Sequence, residues 1–322
     1  MNLEAFRLRK EAVSLDEVAN NIIISDLEKL PRIIIGIGPC RGATTFTLRL
    51  FGASGILPLY QHFKYVLRNI LHNQDWSWQI PDSATTDIFY NKETIGPYTP
   101  EECNFDPVQV MEKAIKNTIL KDKVNIDRAA LDLKVSNIIK NKIELLFIMR
   151  DPYSTWRSWK KEWVERKGLG ARDMFDRFLS SYNRIWQIWE RSRELSYKCH
   201  ILVRDAYRNI EKTFNDLFLD LELPFPPVLY NWSEYINKNG LDILFPEKIP
   251  AVYDTHSFLI KAKTSNHVIY KEPPPIDTRD KFNIAINHNN LPDIYQDFLD
   301  RHLEMNRIRD LQYVMDRESK LA

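Results

Sequence analysis

The chain has little cysteine, almost no net charge and no long apolar run, and each shortage excludes a class of protein. Its three cysteines, Cys40, Cys103 and Cys199, lack a metal-like spacing and cannot all pair, so we expect a reducing environment. A formal net charge of +1 provides no overall field for holding nucleic acid or an anionic membrane. No run approaches the roughly 20 apolar residues that cross a bilayer. Because the first residues also lack the apolar stretch of a secretion signal, we expect a cytoplasmic protein.

Internal repeats and long low-complexity segments are absent as well. A length of 322 residues suffices for a full hydrophobic core. We interpret residues 1–322 as a single domain with an N-terminal helical extension (residues 1–30) and a C-terminal helical segment (residues 276–322).

Short apolar runs rich in β-branched residues, each followed by polar residues, predict buried strands. They are IIIGIG at 33–38, TDIFYNKE at 86–93, IELLFIMR at 143–150 and HILVR at 200–204. Patterns of helical period lie between them, including an aromatic stripe from Phe175 to Trp189. This alternation predicts an α/β fold, with a central, mainly parallel sheet flanked by helices.

Three basic residues directly follow, or stand at, the predicted strand ends. They are Arg41, Lys92 and Arg150. Ligands of open α/β sheets bind at the carboxyl ends of the strands. We therefore expect these three side chains to converge on one site.

Two strand–turn–helix segments have the form of phosphate-binding turns. The first is RIIIGIGPCRGATTFTLRLF at 32–51 and the second is LLFIMRDPYSTWRSWKK at 145–161. In such turns the backbone N–H groups and the positive end of a helix dipole meet an anion. The first turn lacks the lysine that a nucleoside-triphosphate loop places after its last glycine, which leaves Arg41 and two hydroxyls to hold a phosphate without a metal. Two such turns indicate a ligand with two separated phosphates.

The segment RGATT resembles the first motif of the sulfotransferases that use 3′-phosphoadenosine-5′-phosphosulfate (PAPS), written generally as [KR]-S-G-T-T. Arg41 stands at the basic position and Thr44 and Thr45 at the hydroxyl positions, whereas Gly42 and Ala43 stand where Ser and Gly are usual. If that position requires a positive φ, Ala43 is strained. The resemblance implies a P-loop-like sulfotransferase architecture in which this loop holds the 5′-phosphosulfate.

The second turn resembles the second motif of the same family, an Arg at a strand end and a Ser eight residues later. Arg150 and Ser158 have that spacing, and the resemblance implies that they bind the 3′-phosphate. TSNHVIYK at 264–271 is similar to a late loop of tyrosylprotein sulfotransferases, which implies that Thr264 or Ser265 places a hydroxyl near the sulfuryl group. The implied cofactor is PAPS, with adenosine 3′,5′-bisphosphate (PAP) as its product and no metal.

Sulfuryl transfer is an in-line displacement that needs cations on the transferring and leaving oxygens and a base for the acceptor proton. Arg41 is expected to stabilise the leaving phosphate, and Lys92 resembles the pocket lysine of related enzymes. Two residues compete for the role of base. Glu93 is expected to be ionised because Lys92 is its neighbour. His62 stands at a place similar to the catalytic glutamate of tyrosylprotein sulfotransferases, and an imidazole titrates near pH 7.

The acceptor is less defined by the sequence. Lys64 and Arg68 either bind an anionic acceptor or are solvated, and Trp156, Trp159 and Trp163 either offer a stacking surface for adenine or pack their helix. We expect a small-molecule hydroxyl or amine as acceptor, and a homodimer is left open. Two alternatives to a sulfotransferase remain: a kinase-like phosphoryl transferase, which would need Mg²⁺ and carboxylates to hold it, and a degenerate nucleotide-binding protein without catalysis.

Overall fold

The computed structural model describes residues 3–42, 44–122, 126–203, 210–224, 242–253, 275–277 and 279–319. Its core is a sheet of five parallel strands with helices on both faces, which confirms the predicted α/β class. The strands of this sheet are β2 (Arg32–Pro39), β3 (Leu57–Tyr60), β5 (Ile88–Ile95), β6 (Ile143–Met149) and β7 (Lys198–Val203). Two short strands, β1 (Ile22–Ile23) and β4 (Trp78–Gln79), pair in parallel beside it.

The helices lie before, between and after the strands, with three of them between β5 and β6. Their bounds are α1 (Leu15–Asn20), α2 (Thr44–Ala53), α3 (His62–Leu71), α4 (Pro100–Cys103), α5 (Pro107–Asp122), α6 (Arg128–Lys142), α7 (Pro152–Trp159), α8 (Ala171–Glu194), α9 (Ile210–Asp220), α10 (Lys281–His288) and α11 (Leu291–Ser319). A 3₁₀ turn covers Leu3–Phe6, and a π-helical segment, Lys160–Arg166, continues α7. None of the helices in the described ranges is long and apolar enough to span a bilayer.

The strand order of the main sheet is β3-β5-β2-β6-β7. The chain leaves β2 towards one edge of the sheet and leaves β6 towards the other edge. The carboxyl ends of these two adjacent strands therefore form a topological switch point, the place where open α/β sheets bind ligands.

Strand β2 is buried on both faces, because its side chains alternate between two apolar clusters. Ile33, Ile35 and Ile37 pack on the face that α5 and α8 cover, and Ile34 packs on the face that α2 and α9 cover. On the α2 face, a Cβ atom at Gly38 would lie 2.9 Å from Cγ2 of Thr44. Glycine at this position thus lets the first turn of α2 sit directly on the strand end.

Two expectations about local structure need correction. The strand predicted to end at Lys92 and Glu93 continues to Ile95, so both residues lie inside β5. The N-terminal segment holds one short helix and a 3₁₀ turn and then enters strand β1.

The three tryptophans near α7 are buried, and Trp156 lies edge-on to Phe175 with ring centroids 4.8 Å apart. Their role in the structure is helix packing.

Candidate functional site

The two predicted phosphate-binding turns meet at the carboxyl ends of β2 and β6. Arg41 Nε donates a hydrogen bond to Ser158 Oγ over 3.0 Å. Arg150 Nη1 donates to the backbone oxygen of Arg41 over 3.2 Å. The structure therefore brings together three of the residues selected from the sequence, at the switch point of the sheet.

The first turn is held in place by the second. Arg41 has a left-handed backbone with φ 68°, a conformation that is costly for a residue with a Cβ and needs support from its surroundings. Gly42 N donates to the oxygen of Pro39 over 2.9 Å, and Trp159 Nε1 donates to the oxygen of Cys40 over 2.6 Å. Together with the Arg150 contact, these bonds fix the turn against α7. The predicted strain at Ala43 falls outside the described residues.

At the N-terminus of α7, one of the backbone N–H groups that the sequence offers to an anion is already bonded within the chain. Asp151 Oδ1 accepts a hydrogen bond from Ser154 N over 2.9 Å, and Pro152 supplies no donor. The helix end is therefore capped by a carboxylate of its own chain.

Lys92 lies on the α2 face of β5, close to the first turn. Its Nζ donates to Thr45 Oγ1 over 3.2 Å and lies 4.4 Å from the ring centre of Tyr60. Only 2 % of the residue is exposed. The predicted lysine and a predicted loop hydroxyl are thus in contact.

The pKa of Lys92 falls to about 7, mainly because burial removes water from its ammonium group. The positive charges of Lys64 and Arg68 lower this pKa further, whereas Cys40 and Glu93 act in the opposite direction. Near neutral pH the lysine is therefore close to the midpoint of its titration.

Glu93 lies on the opposite face of the same strand, because successive side chains of a strand alternate. Its Oε1 accepts hydrogen bonds from Phe63 N over 3.0 Å and from Asn91 Nδ2 over 3.1 Å. Burial raises the pKa of Glu93 to about 7, although the nearby charge of Lys64 and these hydrogen bonds oppose the rise. The expectation that Lys92 keeps this carboxyl ionised is wrong, since the loss of water outweighs the neighbouring charge.

His62, the other candidate base, opens helix α3 and is also buried. Its ring centre lies 4.8 Å from that of Trp78. Burial lowers the pKa of His62 to about 3, so the imidazole is neutral at pH 7. The expectation of a pKa near 7 is wrong because it assumed an imidazole in contact with water.

Lys64 and Arg68 are neither solvated nor directed at an open acceptor pocket, because both contact one buried carboxylate. Lys64 Nζ lies 3.3 Å from Glu102 Oε2, and Arg68 Nε lies 3.0 Å from Glu102 Oε1. Lys64 also donates to the backbone oxygen of Thr94 over 2.8 Å, and the Arg68 guanidinium lies 4.1 Å from the ring centre of Tyr253. The two cations therefore hold α3 against the segment that follows β5.

Glu102 is a residue that sequence reasoning missed. Burial raises the pKa of this carboxyl, but the charges of Arg68 and Lys64 outweigh that effect and hold the pKa below its usual range. No spacing in the sequence connects Glu102 with the two cations, which lie more than thirty residues earlier. Only the packing of α4 against α3 shows the connection.

Thr264 and Ser265 lie outside the described residues, and their expected role stays a prediction. Within the described ranges, no group of three or more His, Cys, Asp or Glu side chains is arranged to hold a metal ion. Comparison of the sequence with protein-family models and with curated proteins finds no match.

Proposed function

We propose that this protein is a sulfotransferase that moves the sulfuryl group of PAPS to a hydroxyl or amine of a small molecule. The observation that carries the proposal is the 3.0 Å contact between Arg41 and Ser158, one from each phosphate-binding turn. Because the turns touch, a single adenosine bisphosphate is long enough to reach both. Both turns also lie at the switch point of the sheet, which is where open α/β sheets bind their ligands.

The residues divide by the part of the donor that each would bind. Arg150 and Ser158 would hold the 3′-phosphate through charge-assisted hydrogen bonds. The first turn, with the hydroxyls of Thr44 and Thr45, would hold the 5′-phosphosulfate. Arg41 would stabilise the charge that develops on the leaving phosphate, and the contacts that already fix its backbone supply the preorganisation that such stabilisation needs.

The chemical step forms a bond from the acceptor oxygen or nitrogen to sulfur and breaks the bond from sulfur to the bridging oxygen. Lys92, beside Thr45, would neutralise charge on the transferring group. The acceptor proton goes to a base, for which Glu93 is the stronger candidate. With a pKa of about 7, a large share of Glu93 is ionised at neutral pH, and its conjugate acid is weak enough to retain the proton.

A second candidate function is nucleotide binding without turnover. It is favoured by the positions of Glu93 and His62, which are both buried, with Glu93 on the sheet face opposite to Lys92. In that case the two phosphate-binding turns would bind the ligand but no base would meet an acceptor. Turnover of PAPS with a broad panel of phenols, alcohols and amines distinguishes the two functions.

Calorimetric titration with PAP tests the donor site. We expect binding that a chelator leaves unchanged, and that Arg150→Ala weakens by about tenfold or more, since a hydrogen bond to a charged group contributes roughly 1.5–3 kcal/mol. Arg157→Ala, on the helix α7 that follows Arg150, is the control and should retain the wild-type affinity. Equal binding by Arg150→Ala, or no binding by the wild type, would refute the proposed donor site.

A further inference from the structure

Lys92 differs from an ordinary anion-binding lysine because its side chain is buried, with only 2 % of the residue exposed. The side chain contacts Thr45, the second residue of α2, and lies over the ring of Tyr60 at the end of β3. Under the proposed function, this is where the 5′-phosphate end of the donor enters. The lysine and the ligand would thus share a space from which water is largely excluded.

Within the part of the chain that the structure describes, the charged and titratable groups around Lys92 lie on or next to four elements. They are Cys40 after β2, Tyr60 of β3, Lys64 and Arg68 of α3, and Glu93 on the other face of β5. Burial keeps Tyr60 neutral by raising its pKa. Lys64 and Arg68 already contact Glu102, and they repel a further positive charge at Lys92. Burial and these two positive charges therefore disfavour the ammonium form in the free protein.

We infer that the anionic end of the donor binds Lys92 together with a proton, so that occupation of the nucleotide site is coupled to protonation of this lysine. The inference rests on the proposed function and adds a regulation of the same site by pH. An anion in contact with Nζ stabilises the ammonium over the amine. By linkage, protonation of the lysine must then strengthen binding of the anion.

The direction of the effect follows from the pKa of about 7 in the free protein. Below pH 7 the lysine is already charged, and affinity should change little through this group. Above pH 7 the free protein holds mostly the neutral amine, so each binding event takes up as much as one proton. The dissociation constant should then rise by up to about tenfold per pH unit. Glu93, also with a pKa of about 7, would respond in the same direction and must be separated by experiment.

Calorimetry at pH 8 in two buffers with different ionisation enthalpies counts the protons that are taken up with PAP. At this pH the phosphates of PAP are fully ionised, because their second pKa is about 6. We expect the wild type to take up a large fraction of one proton. Lys92→Arg keeps a cation that does not lose its proton, so the uptake should disappear while binding remains. Lys198→Arg, at the opposite end of the sheet, is the matched control and should take up the wild-type number.

Several outcomes overturn the inference. Uptake that persists in Lys92→Arg, or that disappears only in Glu93→Gln, would assign the proton to another group. Binding by the wild type without uptake, or with an affinity that is flat from pH 6 to pH 9, would refute the coupling and leave the proposed donor site standing. The wild-type pH series needs no variant to fold, so a flat series refutes the coupling even if Lys92→Arg is unstable, and Glu93→Gln then shows how much of a pH-dependent series belongs to Glu93. Failure of the wild type to bind PAP would instead refute the proposed function.

Discussion

Arg41 and Ser158 lie 117 residues apart in the sequence and share a hydrogen bond of 3.0 Å. The bond joins the turn after β2 to the second turn of helix α7, at the topological switch point of the sheet. Neither side chain belongs to the hydrophobic core. The effect of this contact on ligand binding can therefore be tested by substitutions that leave the packing of the core unchanged.

Replacing Ser158 with alanine should weaken recognition of the 3′-phosphate. The variant loses a hydroxyl that contacts Arg41 and would contact the ligand. Loss of one hydrogen bond weakens binding by about 1 kcal/mol, or roughly fivefold in affinity. The measurement is the ratio of the affinities for PAP and for adenosine 5′-monophosphate, which should fall in Ser158→Ala and stay constant in the control Ser180→Ala on α8. A ratio unchanged by Ser158→Ala would contradict the assignment.

The indole of Trp159 is expected to matter for the ligand through the turn that it holds. Trp159→Phe removes the Nε1 hydrogen bond to the oxygen of Cys40, together with part of the buried ring. The turn around Arg41 should become less ordered, and the affinity for PAP should fall severalfold more than in Trp163→Phe, which loses the same ring atoms from the core. Trp163→Phe is the matched control, since its Nε1 donates to Tyr98 Oη instead. Equal affinities for the two variants would show that the Cys40 contact is not needed.

Glu102 should be among the most sensitive residues for stability. Glu102→Gln removes the charge that Lys64 and Arg68 share and leaves two buried cations without a carboxylate, a situation that costs about 3–5 kcal/mol. Urea unfolding followed by circular dichroism measures the loss. Glu101→Gln affects only the partly exposed pair with Arg7 and should cost less than about 1 kcal/mol. A stable Glu102→Gln protein would show that the two cations are compensated in another way.

The raised pKa of Glu93 predicts a specific pH dependence of stability. The ordinary pKa of this carboxyl is 4.5 and the folded protein raises it to about 7, so the contribution of Glu93 to the free energy of unfolding should fall as pH rises between these values. The effect is on the order of 3 kcal/mol. Glu93→Gln should remove it, which comparison of urea unfolding at pH 5 and pH 7.5 would reveal. The exposed Glu190→Gln serves as control and should keep the wild-type difference, and a Glu93→Gln variant that also keeps it would mean that Glu93 titrates normally.

The class of fold could be predicted because the strands are continuous apolar runs and the helices have a clear period. The stripe from Phe175 to Trp189, for example, is the buried side of α8. Strand β3 was missed because only four residues form it and Pro58 interrupts its β-branched character. The end of β5 was misplaced because Lys92 and Glu93 are charged, and charged residues usually mark a strand end. Here both are buried inside the strand by contacts that come from α2 and α3.

The sequence by itself determined four of the five strands of the main sheet, the buried stripe of α8 and the two polar turns at Arg41 and Arg150, since apolar period, proline and glycine act over a few residues. Only the tertiary structure decided that these turns touch, that Lys92 and Glu93 face opposite sides of the sheet, and that Lys64 and Arg68 belong to Glu102. The physical reason is that burial and charge pairing depend on which distant segments exclude water from a group. That exclusion moves a pKa or cancels a charge, and it leaves no local signal in the chain.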